Sequence, residues 1–144
     1  MSSPKIAIVV ARFNEPVTSR LLSGCEAYLQ QQGVSAEQQT VLWVPGAVEL
    51  PLASQMLAKK EEYDAIICLG AVIRGETGHY DFVCQQVSQG VMRVMLDYHL
   101  PVVFGVLTTD NGDQAFARAG GAHSDKGAES AQTALEMIEL MKHH

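Results

Sequence analysis

The chain has little cysteine, and none of it is arranged to staple a fold or hold a metal. Its three cysteines, Cys25, Cys68 and Cys84, are odd in number, lie within apolar segments and show none of the paired spacings of zinc or redox sites. They read as reduced core thiols. A Lys/Arg cluster is also missing, and ten basic against sixteen acidic residues leave a formal charge of -6. That surface offers no electrostatic footprint for a nucleic-acid backbone, so any anion must be bound by a local site. No long apolar run opens the sequence. After Met1-Ser2-Ser3-Pro4-Lys5 it passes straight into Ile6-Ala7-Ile8-Val9-Val10, too short for a signal h-region or a membrane span. Neither a secretory leader nor a membrane partner is expected, and a cytoplasmic location follows.

What is present is an alternation. Short β-branched apolar runs, Lys5 to Val10, Thr40 to Val44, Ala65 to Leu69 and Val102 to Leu107, are separated by stretches of helical period. The helices are expected near Val17 to Gln32, Ala47 to Lys60, Asp81 to Tyr98, Asn111 to Ala119 and Lys126 to Met141. Strands that are apolar throughout and divided by helices demand a parallel sheet covered on both faces. The expected architecture is therefore an α/β three-layer sandwich with a parallel four-stranded sheet. No repeat, low-complexity tract or Pro/Gly/Ser linker divides residues 1–144, which are read as one domain; 47% hydrophobic content suffices for its core.

Ligands of such sheets gather beyond the carboxyl ends of the strands. After the third expected strand comes Gly70-Ala71-Val72-Ile73-Arg74-Gly75-Glu76-Thr77-Gly78-His79, a glycine-studded turn entering a helix. Free backbone N–H groups and the helix dipole suit a phosphate there, with Thr77 as N-cap or hydroxyl donor and His79 in the first turn. An ordinary turn with a surface histidine is the bland alternative, and the Glu76 carboxylate favours it slightly. After the second strand, Val44-Pro45-Gly46-Ala47-Val48-Glu49 forms a tight turn; Glu49 is either a first-turn glutamate satisfying the dipole or an acceptor for a ligand hydroxyl. Phe13 follows the first strand and Phe104 lies inside the fourth, so two aromatics could approach a ring at the sheet edge, although core packing explains Phe104 equally well. Arg118 and Lys126 bracket the loop Ala119 to Asp125 and read as solvated charges.

Four segments taken together carry a resemblance: Ala11-Arg12-Phe13-Asn14, Trp43 to Pro51, Leu69 to Tyr80, and Phe104-Gly105-Val106-Leu107-Thr108-Thr109. In order and spacing, from about Lys5 to Met141, the sequence resembles the lumazine synthases; the match includes Gln114, Ala115, Arg118, Ala119, Gly120 and Lys126-Gly127. The resemblance implies a flavodoxin-like fold, no metal or organic cofactor, and two small-molecule substrates, 5-amino-6-(D-ribitylamino)uracil and 3,4-dihydroxy-2-butanone 4-phosphate. The product would be 6,7-dimethyl-8-ribityllumazine, formed in the penultimate step of riboflavin biosynthesis with release of phosphate and water. By position, Phe13 would stack on the pyrimidine and Ala47, Val48 and Glu49 would hold its ribityl chain, with Ala71, Val72, Ile73 and Phe104 completing that pocket. Glu76 and Thr77 would bind the phosphate, Arg118 would pair with it from an adjacent subunit, Lys126 is a further phosphate candidate, and His79 would shuttle protons.

The resemblance also implies a homopentamer, with closure into an icosahedral shell as a further step and riboflavin synthase as a candidate partner. Two departures bear on assembly: an N-terminal strand frequent in the family is missing from this sequence, and Gly121 to Asp125 replaces a more basic loop. Independent support for subunit packing comes from the fifth helix, where Ala131, Ala134, Leu135 and Ile138 share one face with Met137 and Leu140 beside it. Two other readings compete. An archaeal-type riboflavin synthase has no use for a phosphate site, so Thr77, His79 and Arg118 argue against it. A flavin-binding or shell-forming protein without turnover would keep the pocket and make no product.

Overall fold

The computed structural model describes residues 3–144. Four parallel strands, β1 (Ile6–Ala11), β2 (Gln39–Val44), β3 (Ala65–Ile73) and β4 (Val102–Thr109), form one sheet in the order β2-β1-β3-β4. That is the order of the first four strands of a flavodoxin-like sheet. Helices α1 (Glu15–Gln31) and α5 (Lys126–Lys142) cover one face, and α2 (Leu50–Ala58) and α3 (His79–Tyr98) cover the other. A short α4 (Gly112–Ala117) follows β4 at the sheet's carboxyl edge. The expected three-layer α/β sandwich is the observed one.

Alternate side chains of each strand feed two cores. Ile6, Ile8, Val10, Ile67 and Leu69 point to the α1/α5 layer, and Ala7, Val9, Ile66, Cys68 and Val106 to the α2/α3 layer. Such two-sided burial is why the strands read as unbroken apolar runs rather than alternating ones. Element boundaries shift by a few residues from the sequence expectation, and the shifts at β3, α2 and α3 bear on the site. β3 continues through Gly70 to Ile73 because β4 pairs with it that far, Gly70 opposite Val106 and Ile73 opposite Thr109. Gly70 marks a close approach, not an end: a Cβ there would lie 3.3 Å from the Leu50 side chain. The segment expected as a helix from Ala47 begins as a 3-10 turn, Ala47–Glu49, and α2 ends at Ala58, before Lys60. Finally, α3 starts at His79, two residues before Asp81, and its N-cap is Gly78 in place of Thr77.

The α1/α5 layer depends on close backbone contact. Asp125 caps α5, its carboxylate accepting the Ala128 N–H at 3.1 Å, and Gly127 then passes directly against the Leu21 carbonyl of α1. A Cβ at Gly127 would collide with that backbone, which cannot swing aside as a flexible side chain can. Gly112, at the start of α4, has open space instead. Gly127→Ala should cost about 1–3 kcal/mol by overpacking, whereas Gly112→Ala should be neutral or gain up to about 1 kcal/mol. Chemical denaturation of both variants checks this; equal stabilities would contradict the packing account.

Cys25 and Cys68 are buried in opposite cores, and Cys84 on α3 is half-buried. Burial pushes both buried thiols up to about 12, helped at Cys25 by the negative charges of Glu26 and Asp125 and opposed at Cys68 by a hydrogen bond with Ser54. The thiolate is the nucleophile, so neither should react near neutrality. The folded-state values lie above the unfolded ones. Their contribution is therefore fully present below pH 9 and is lost as pH rises from 9 toward 12. Iodoacetamide at pH 8 should label Cys84 alone in the native protein and all three cysteines after denaturation, as intact mass will show. Above pH 9, replacing Cys25 and Cys68 by alanine should flatten the fall in stability.

Candidate functional site

The carboxyl ends of β1, β2 and β3 open into a cavity of about 700 Å³. Its floor is the overrun of β3, Ala71, Val72 and Ile73, and one wall is the turn Pro45 to Glu49 after β2. The first two turns of α3 supply the other wall, with Thr77, His79, Tyr80, Val83 and Gln86. Phe13 closes the rim. Phe13 is 72% exposed, so its neighbours in the chain cover little of it. Aromatic and aliphatic walls with a few convergent polar groups are the usual chemistry of a small-molecule site.

The turn after β1 explains how an unsupported ring keeps its place. Beyond the paired strands the ladder runs on: Arg12 N–H donates to the Val44 carbonyl at 2.7 Å and Phe13 N–H to that of Pro45 at 2.9 Å. Asn14 then reverses the chain in the left-handed region, φ 64° and ψ 41°, which asparagine tolerates better than most residues. Its side-chain amide donates to the Ala71 carbonyl at 2.7 Å. Asn14 thus ties the Phe13 turn to the cavity floor. Sequence reasoning quoted Asn14 within a motif but assigned it no role, because neither its backbone conformation nor its partner 57 residues away shows in local pattern.

Glu49 closes the 3-10 turn and lines the cavity. Its carboxylate folds back over Gly46, where a Cβ would lie 3.2 Å from Oε1, so the position after Pro45 has little room for a side chain. At the opposite wall, His79 is the first residue of α3 and is exposed. Thr77 Oγ1 accepts the His79 backbone N–H at 3.3 Å, a role close to the cap expected of it although Gly78 occupies the N-cap position. Tyr80, next to His79, has its phenol raised above the ordinary range by desolvation first and then by a hydrogen bond with Cys84, while a bond with Thr108 opposes.

A second cavity, of about 380 Å³, opens at the end of β4. Arg118 and Lys126 line it together with Thr108, Gln114, His123, Ser124 and Glu129. Arg118 is held there by its own helix, Nη1 donating to the Gln114 carbonyl at 3.0 Å, and Lys126 N–H donates to the Arg118 carbonyl at 2.8 Å. Two cations, three hydroxyl residues and a histidine line this cavity beside the single Glu129 carboxylate, a set in which the cations suit a phosphate. His123 and Glu129 were not among the residues singled out from sequence. They reach the cavity only because the Gly120 to Asp125 loop folds back onto α4, where His123 N–H donates to the Ala117 carbonyl at 2.8 Å.

The structure therefore brings together Phe13, Ala47, Val48, Glu49, Ala71, Val72, Ile73, Thr77 and His79 in one cavity, and Arg118 and Lys126 in another. It brings Phe104 and Glu76 to neither within a single chain. Phe104 is half-buried against the α2/α3 core, and Glu76 is exposed on the turn before α3. The two cavities also lie toward opposite layers, the first among α2/α3 residues and the second among those of α4 and α5.

Comparison with known proteins matches the sequence to a family. The family model described as 6,7-dimethyl-8-ribityllumazine synthase matches residues 3–142. Proteins named 6,7-dimethyl-8-ribityllumazine synthase from Coxiella burnetii, strains RSA 493 / Nine Mile phase I and Dugway 5J108-111, are each 57% identical over 141 residues, 98% of this chain and 93% of theirs. A match of that extent, in a chain whose strand ends build both cavities, places the protein in the 6,7-dimethyl-8-ribityllumazine synthase family.

Proposed function

We propose that this chain, acting as one domain, catalyses formation of 6,7-dimethyl-8-ribityllumazine from 5-amino-6-(D-ribitylamino)uracil and 3,4-dihydroxy-2-butanone 4-phosphate. The observation that carries the reading is a ring-sized cavity walled by Phe13, Glu49 and His79, beside a separate cationic cavity formed by Arg118 and Lys126. Phe13 stacks on the pyrimidine. Glu49 and the backbone of Ala47 and Val48 receive the ribityl hydroxyls, while Ala71, Val72 and Ile73 form the apolar floor. Thr77, with the backbone N–H of Glu76 at the start of α3, takes the sugar phosphate from one side. Arg118, assisted by Lys126, takes it from the other as a charge-assisted pair. His79 moves protons as the amine condenses with the ketone and phosphate and water leave.

The two half-sites share no lining residue on one chain, which supports a site shared between copies. A surface that meets a different surface on its neighbour repeats head to tail, and such contacts close into a ring where the rotation between copies closes. A homopentamer is the ring we infer. In it, Arg118 and Phe104 of one subunit complete the cavity of the next, and the exposed Leu52, Met56, Met92, Leu96 and Leu140 provide apolar surface for packing. Closure of pentamers into an icosahedral shell and association with riboflavin synthase extend the same reading, as does a cytoplasmic location. No helix among the described residues is long and apolar enough to cross a membrane.

Product formation from the two substrates tests the activity, and its absence in a folded protein favours a binding or shell-forming role without turnover. Arg118→Ala should raise the KM of the sugar phosphate by roughly 10–150-fold, the equivalent of about 1.5–3 kcal/mol, and leave that of the pyrimidine nearly unchanged. Equal weakening of both removes Arg118 from the phosphate. Against this, His79→Ala should leave measurable turnover. Proton transfer is worth at most about 10²–10⁴-fold, whereas holding two reactants together supplies about 7–11 kcal/mol of the barrier.

The shared site has its own test. Arg118→Ala and His79→Ala subunits, dissociated and reassembled at equal ratio, should regain about a quarter of fully intact sites if each is built from two neighbours. Activity that stays at the mean of the two variants, in assemblies proven to be mixed, rules out sharing.

A further inference from the structure

Little holds the turn between β3 and α3. Gly75 and Gly78 have open space where a side chain would stand, residues 74–79 are all exposed, and the N-cap Gly78 gives the helix no side-chain bond. The Thr77 hydroxyl contact with the His79 N–H is long, at 3.3 Å. Because His79 is the first residue of α3, its imidazole goes wherever this first turn goes.

Arg74 grips the turn from outside. Its backbone N–H donates to the Thr109 carbonyl at 2.8 Å, and its Nε donates to Asp110 Oδ1 at 3.0 Å. The guanidinium carbon lies 4.3 Å from the centroid of the Tyr80 ring, and Nη1 is 3.9 Å from Asp81 Oδ1. Tyr80 and Asp81 are the two residues immediately after His79. The Asp110 end is itself anchored, since its backbone N–H donates to Gln114 Oε1 at 2.8 Å, and the Asn111 side chain accepts the Gln114 N–H at 2.9 Å to cap α4. Arg74 is in the lining of neither cavity, so its charge is engaged with the protein.

We infer that Arg74 is a positioning residue acting through His79: its planar guanidinium clamps the first turn of α3 to the β4–α4 corner and so fixes the imidazole over the Phe13 cavity. The inference rests on the reading of His79 as the proton shuttle. A guanidinium can present its edge to Asp110 while its face covers Tyr80; an ammonium offers only a point charge and cannot satisfy both geometries. Ion pairs this exposed add little to stability. The clamp should therefore be felt in turnover rather than in melting.

Steady-state kinetics with both substrates, on the assembled wild type and on Arg74→Ala, Arg74→Lys, Asp110→Asn, His79→Ala and Arg74→Ala/His79→Ala, tests the clamp. Arg74→Ala should lower kcat by about 10–100-fold, the scale of a misplaced catalytic group, with both KM values within about twofold and Tm unchanged. Arg74→Lys should recover part of the loss, and Asp110→Asn should reproduce part of it. In the His79→Ala background, Arg74→Ala should change kcat by no more than about twofold, since the residue it positions is gone. An Arg74→Ala kcat within about twofold of wild type overturns the proposal, as does an undiminished loss in the His79→Ala background. Should Arg74→Ala fail to fold, the lysine and asparagine variants carry the same comparison.

A second readout separates this proposal from the assigned activity. With carbon-13-labelled histidine, the His79 ring resonance, identified by its disappearance in His79→Ala, should shift or broaden in Arg74→Ala and return toward its position in Arg74→Lys. No change in that resonance sinks the clamp whether or not the protein makes product; failure of the wild type to make product sinks only the functional reading.

Discussion

The pairing of β3 with β4 beyond Gly70 is the contact on which both cavities depend. Four additional rungs, from Gly70 opposite Val106 to Ile73 opposite Thr109, carry the two strands past the last pair of β1 with β3, Val10 opposite Leu69. On β3 the extension becomes the floor of the larger cavity; on β4 it delivers Thr108 and Thr109 to the smaller one. The Arg74 N–H bond to Thr109 closes the ladder and brings the chain to its turn into α3. The glycine at residue 70 eases the extension, since a Cβ there would lie 3.3 Å from the Leu50 side chain.

Parallel pairing has a second consequence. All four strands deliver their carboxyl ends to one edge, but alternate residues of each strand face opposite layers. Aromatic and hydroxyl-accepting groups collect on the α2/α3 side, and cations collect toward α4 and α5. β4 is one of the two edge strands of the sheet, and the cationic cavity sits at its carboxyl end. The surface is acidic as a whole, with a net charge of -6, so attraction for an anion needs a local cluster such as Arg118 with Lys126.

In the proposed reading, the rim chemistry belongs to exposed side chains placed by well-buried backbone. Phe13, Thr77 and His79 are exposed, yet each follows within a few residues of a strand or helix end pinned by a short hydrogen bond: Phe13 by Pro45 and by the Asn14 amide on Ala71, and α3 by the contacts around Arg74. Rigid elements beneath and accessible groups above suit a site that must admit two substrates and hold them in register.

Residue pattern alone determined the alternation of buried strands and amphipathic helices, and hence a covered parallel sheet, because period and β-branching are local properties. It also located the chemistry at strand ends. The resemblance carried by Phe13, Glu49, Thr77, His79 and Arg118 supplied their candidate roles, which composition and spacing had left open. Tertiary structure decided the rest. Gly70 reads as a strand end in sequence and is a mid-strand close approach in the fold, since only the partner strand shows whether a ladder continues. Asn14, His123, Glu129 and Arg74 acquire meaning through partners distant in sequence or folded back upon them, and no local pattern encodes such meetings. The separation of Phe13 and Arg118 into two cavities was likewise invisible in the sequence, because both lie on turns beyond regular elements, and where such turns pack is settled only when sheet and helices assemble.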